Sequence, residues 1–157
     1  MSHLFVDPPG LPKAIGFSHA AVPESGKTVY LAGQAGHRPD GTIGPDLLDQ
    51  FAQACQNVAV ALEGTGASRE DLVSLQIFVI DIGAYRRRRP ELGEAYRDVF
   101  GRHYPPMALL GVNELFDPAA LVELVGIAVI PADADVSTHP WPGTHPATGV
   151  KKRRRIK

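Results

Sequence analysis

Leu72 to Asp81 reads LVSLQIFVID, and this stretch decides the fold. Val73, Leu75, Ile77 and Val79 alternate along it, the residues between them are partly apolar too, and the run is rich in β-branched and aromatic side chains. That pattern, one apolar face and a partly apolar second one, is expected of a central strand of a sheet. Working outward, the preceding segment from Leu47 carries Phe51, Ala54, Val58 and Leu62 at helical spacing. Asp46 follows Pro45 as an N-cap, and Gly64 and Gly66 stop this helix. On the other side, GAYRRRRPELGEAYRDVFG contains a second helix with Pro90 in its first turn and Leu92, Tyr96 and Val99 as its apolar stripe. Arg86 to Arg89 are expected in the turn before it.

Two more strands are expected from Met107 to Val112 and from Leu121 to Ile130, separated by the ELFDP turn, in which Asp117 and Pro118 favour chain reversal. Near the start, AIGFSHAAV (14–22) and KTVYLAG (27–33) flank Pro23-Glu24-Ser25-Gly26 and read as a hairpin. The HRPDGTIGP segment after them is a loop. The order strand, strand, helix, strand, helix, strand, strand predicts an α+β fold, one mixed sheet with both helices on one face. The other face would expose an apolar patch, and such patches mark oligomer contacts.

Length and composition set the outer limits. The chain has 157 residues, the size of one domain, with 44% hydrophobic and 21% charged residues, an ordinary globular balance. No apolar run is long enough to span a bilayer, so no membrane partner is expected. Cys55 is the sole cysteine, which excludes an internal disulfide and a CxxC motif; beside Ala54 and Val58 it reads as a buried, inert thiol. The start, MSHLFVDPPG, lacks the regions of a signal peptide, so the expected location is cytoplasmic. Residues 1–150 hold 10 Lys and Arg against 17 Asp and Glu, while KKRRRIK ends the chain. An acidic body makes nucleic acid an improbable partner, because an interface needs its positive charge on a folded face. Residues 132–157, rich in Pro, Ser, Thr and Gly before the basic end, read as a flexible extension of a domain spanning 1–131. Trp141 within it is a short docking element or a plain tail residue.

His19 and His103 stand at no metal-ligand spacing, so no metal is expected, and the absence of GxGxxG, Walker and GxSxG motifs gives no cofactor or nucleotide site. Gln34, His37 and Arg38 follow the second strand and could bring an amide and an imidazole to a cleft rim, or form a polar loop. Arg86 to Arg89 read as solvated or as a phosphate or RNA contact.

Several blocks, in order, resemble the Rid or YjgF family of reactive-intermediate deaminases over residues 8–131. They are AIGFSHAAV, VYLAGQAG with PDGTIG, Gln53 to Val58, LVSLQIFVID, AYRDVF and VELVGIAV. The resemblance implies a chorismate-mutase-like, barrel-forming homotrimer with small-molecule clefts between subunits. It also implies hydrolysis of 2-imino or enamine acids, with an arginine clamping the substrate carboxylate and a final-strand glutamate positioning water. Here the arginine position holds Met107 and the glutamate position Val125, while Glu123 matches another acidic position. The pocket tyrosine becomes Phe17, the small hydroxyl before Gly33 becomes Ala32, and the helix asparagine becomes Gly93.

The pocket is thus expected from Phe17, Ala32, Gly33, Gln34, Gly93, Met107 and Val125, with Glu123 and His37 as candidate acid–base groups. Methionine can neither carry charge nor donate a fork of hydrogen bonds. The expectation is therefore a cofactor-free hydrolase or hydratase, or a binder of a small metabolite, without standard deaminase activity. Three alternatives stand beside it: a deaminase whose anchor has moved to Arg102 or to Arg86–Arg89, a non-catalytic protective protein, and an RNA-binding one.

Overall fold

The computed structural model describes residues 3–134. Trp141 and the basic end, with nearly all of the expected extension, lie outside them. Seven strands and three α-helices follow in chain order: β1 (Leu4–Val6), β2 (Ala20–Val22), β3 (Gly26–Tyr30), β4 (Gln34–Ala35), α1 (Leu47–Gly64), β5 (Leu72–Val79), α2 (Ile82–Arg87), α3 (Arg89–Phe100), β6 (Met107–Gly111) and β7 (Val122–Pro131). The main sheet runs β3-β7-β5-β6, with β4 also paired to β7. β5 and β6 are parallel and the other pairs antiparallel, so the sheet is mixed, as the element order required. The α2–α3 segment supplies the crossover that a parallel β5–β6 pair needs.

Local signals place the helices. The Asp46 side chain accepts from the Asp49 N–H at 3.0 Å and caps α1. The apolar stripe of that helix, Phe51, Ala54, Val58 and Leu62, is at most 1% exposed. Leu92, Tyr96, Val99 and Phe100 of α3 join the same core, together with Leu75, Ile77 and Val79 of β5 and Val122, Leu124, Ala128 and Ile130 of β7. Burial pushes the Cys55 thiol pKa up, leaving it protonated and unreactive.

Two expectations need correction. The hairpin of 14–22 with 27–33 does not form: β2 pairs with β1, and β3 pairs with β7 from Gly26↔Pro131 to Tyr30↔Ile127. Pro23 to Ser25 turn the chain, but β7 is ten residues long and offers β3 a full ladder, which a neighbour of three residues does not. The four arginines, expected in one turn, instead span the end of α2, the joint at Arg88 and the start of α3. Asp81 caps α2 by accepting from the Ala84 N–H at 2.9 Å, a start signal hidden inside the end of the strand pattern. Among the described residues no helix is long and apolar enough to cross a membrane.

Candidate functional site

β7 alternates, and its alternation creates the site. Val122, Leu124 and Ala128 are fully buried against the helices, whereas Glu123, Val125 and Ile127 between them are half-buried on the opposite face. Register fixes their neighbours: Glu123 is opposite Phe78, Val125 opposite Gln76 and Ile127 opposite both Ser74 and Tyr30. Paired residues share a face. Ala108 and Leu110 of β6, aligned with Gln76 and Phe78, extend this face outward. Tyr30 is 77% exposed and Leu110 41% exposed, so an apolar surface lies open. Its strands place one carboxylate there, Glu123, and no lysine or arginine.

The Glu123 carboxylate lies over Gly33. A Cβ at Gly33 would overlap Glu123 Oε1, so glycine makes the room for this side chain. Ala35 is opposite Glu123 on β4. Gly36 packs against α1 so closely that a Cβ there would come within 2.6 Å of the Gln50 Cα. Ala35 shares the face of its partner Glu123, and His37 follows two residues later, past the bend at Gly36. His37 Nε2 lies 2.7 Å from Asp117 Oδ2, a partner 80 residues away in sequence. Asp117 Oδ1 accepts from the Ala119 N–H at 2.8 Å. That backbone bond, and then the bond to His37, hold the Asp117 carboxyl below the usual 3.8.

α1 fixes the backbone beneath. Asn57 Nδ2 donates to the carbonyls of Ala35 at 2.9 Å and His37 at 2.8 Å, and Gln53 donates to Asn57 Oδ1 at 2.9 Å. The buried Gln50 donates to the carbonyls of Gly44 and Ala119 and accepts from the Leu121 N–H, joining the loop that carries Asp117 to the loop after β4. Arg38 Nη2 donates to both carboxylate oxygens of Asp49, at 3.0 and 2.8 Å, so its charge is engaged.

The remaining candidates are dispersed within one chain. Gln34 is opposite the buried Leu124, on the helix side of the sheet, and its amide donates to the Ala32 carbonyl at 3.2 Å. Ala32 itself is exposed. Met107 aligns with Leu75 and packs, half-buried, against the core, so it and Val125 lie on opposite faces. The loop of Phe17 is tied to the approach to Met107 through Ser18, whose hydroxyl donates to the Tyr104 carbonyl at 2.7 Å and whose N–H donates to the Pro105 carbonyl at 3.3 Å. Gly93 is half-buried on α3. Arg88 pairs with Glu91 and Asp46 on the helix layer, and Arg102 is exposed in the turn after α3. His19 and His103 bond the carbonyls of Pro12 and Leu72, and among the described residues no group of three or more His, Cys, Asp or Glu could hold a metal ion.

Sequence reasoning missed Asp117 as a site residue. It was visible only as a turn former, because the histidine it contacts is a long-range neighbour.

Comparison with known proteins gives these residues a family frame. Residues 11–130 match the family model described as Endoribonuclease L-PSP. The chain is 31% identical over 127 residues to a 2-iminobutanoate/2-iminopropanoate deaminase of Dermatophagoides farinae, covering 80% of this chain and 94% of that one. It is 30% identical over 123 residues to a RutC family protein of Aquifex aeolicus, covering 76% and 94%. Among solved structures, the Rid-family protein YyfB of Yersinia pestis superposes with a TM-score of 0.75 at 27% identity, covering 83% of this chain and all of that one. A strand order built around β7, a helix layer on one face and a matching sequence over 120 residues place this chain in the Rid/YjgF family.

Proposed function

We propose that this protein is a divergent Rid-family member, a homotrimer whose interface clefts take a small metabolite, and that it is a cofactor-free hydrolase or hydratase rather than a standard 2-imino acid deaminase. The observation that carries this reading is the absence of a cation at the expected carboxylate anchor. Met107 occupies it with its side chain packed against the core, and the strands of the open face contribute a carboxylate and no basic residue. An anionic substrate brought to such a face meets repulsion from Glu123 and no bidentate partner. A neutral or positively charged imine, or another polarised double bond in an apolar molecule, suits it better.

In hydrolysis of an imine, water adds its oxygen to the carbon while the nitrogen gains a proton. The resulting carbinolamine then expels the amine and leaves a carbonyl. Glu123 and His37 are the groups to which we assign those protons. The open apolar face would be covered by neighbouring subunits, which would also supply the walls of the cleft. Residues 1–131 would form the folding unit and 132–157 an appendage.

The test is ammonia release from freshly generated 2-iminobutanoate and 2-iminopropanoate, next to an arginine-containing family member, after light scattering has established the assembly. A rate at the uncatalysed background is the expected outcome. A rate within about tenfold of the control, roughly 1.4 kcal/mol in barrier, would overturn the reading and favour a relocated anchor at Arg102 or Arg86–Arg89. A neutral imine hydrolysed above background supports the hydrolase, whereas ligand binding without turnover would instead identify a protective binder.

A further inference from the structure

Resting on that reading of the site, we propose that Asp117 is a positioning residue for His37, fixing its imidazole with Nε2–H toward the carboxylate and Nδ1 as the free proton acceptor at the rim of the Glu123 face. Both partners are held from behind. The Asp117 carboxylate uses one oxygen on the Ala119 N–H and the other on His37, so its plane is set by its own loop. The His37 backbone is held through its carbonyl by Asn57, and a bridge to Ile43 closes the loop around it.

Charge decides the tautomer. Asp117 is ionised over the working pH range and can only accept, so Nε2 carries the hydrogen and the lone pair of the neutral ring falls on Nδ1. His19 and His103 also bond through Nε2, but to neutral carbonyl oxygens. A carboxylate partner additionally stabilises the imidazolium that forms when Nδ1 takes a proton, as in other base–orienter pairs. Of the other charged groups around His37, Arg38 is neutralised by Asp49, and Glu123 is opposite Ala35, two residues and about 7 Å back along the strand. The dyad is half-exposed, with side-chain exposures of 38% and 37%, so a small molecule can reach the ring.

Two measurements on the full chain test this without any imine substrate, so their failure is separable from failure of the proposed reaction. The first is the long-range nitrogen–proton spectrum of 15N-labelled protein, with His37 assigned through its loss in His37→Gln. A protonated Nε2 and bare Nδ1 are expected, shifting toward mixed tautomers in Asp117→Leu while the His103 signature stays unchanged. The unmoved His103 separates lost orientation from lost fold. A protonated Nδ1 in the wild type, or an unmoved His37 in Asp117→Leu, would overturn the proposal.

The second measurement uses p-nitrophenyl acetate, a neutral ester. Here Nδ1 takes a proton from water as the oxygen bonds the acetyl carbon, p-nitrophenolate leaves, and the imidazolium returns its proton to solvent. The wild type is expected to exceed His37→Gln by at least about tenfold, with Asp117→Leu reduced and Asp117→Asn between. Equal rates in all four proteins would overturn the role of Nδ1.

Discussion

The two faces of the sheet are cut from the same strands yet follow different rules. On the helix side, Leu75, Val79, Val122, Leu124 and Ala128 are wholly buried by α1, α3 and their neighbours. On the other side, the residues interleaved with them, Gln76, Phe78, Glu123, Val125 and Ile127, are half-buried or exposed although most are apolar. The first face is completed by this chain alone. The second has an apolar character that its own chain does not cover, and it carries the Glu123 carboxylate. The closed face therefore holds the chain together, and the open face is the one to which the proposed chemistry is assigned.

The sharpest way to break this comparison is a pair of neighbours on β7. Leu124→Ala should cost about 2–5 kcal/mol in urea unfolding, since it opens a cavity in a closed core. Val125→Ala should cost only about 1 kcal/mol within the chain, because its site is half-open. Similar losses at the two positions would mean that the faces are energetically alike.

A charge on the open face comes next. Leu110→Glu, at a side chain 41% exposed, should leave the single-chain fold intact and, on the proposed assembly through this face, lower the mass read by light scattering toward that of the monomer. An unchanged mass would show that assembly uses another surface.

The smallest expected effect is the acid response. Asp117 and Asp46 both have pKa values below the usual 3.8, chiefly through the backbone N–H bonds of Ala119 and Asp49. A lowered folded-state value gives stability that is present above pH 3.8 and lost as pH falls through the lower folded value. Asp117→Asn and Asp46→Asn should each lower Tm slightly at pH 7, where that contribution is fully present, and flatten the fall in Tm below about pH 4. A wild-type Tm flat between pH 4.5 and 2.5 would contradict this assignment.

Much of the fold was legible because its signals are local. The α1 stripe, its Asp46 cap, Pro90 in the first turn of α3 and the alternation of β5 and β7 all depend on residues within one or two turns of each other. The N-terminal hairpin failed for the complementary reason. The segment around Pro23 to Gly26 announces a reversal but says nothing of which strand will receive the ladder, and β7, about a hundred residues later, received it.

The site divides in the same way. Glu123 was singled out as a residue type at a strand position, His37 as one in the loop after a strand, and Met107 and Val125 as departures from the pattern of the family that the chain resembles. Which of them share a face was not legible, since Met107 turns to the core while Val125 and Glu123 turn away from it. By itself the sequence determined the class of fold and its main helices and strands, because periodicity, capping and side-chain chemistry are properties of short stretches. Only the tertiary structure decided that Asp117 meets His37 and that Gly33 makes room for Glu123. Those contacts join segments some 80 to 90 residues apart, and it is the pairing of β4 with β7 and the packing of Gly36 on α1 that bring them together.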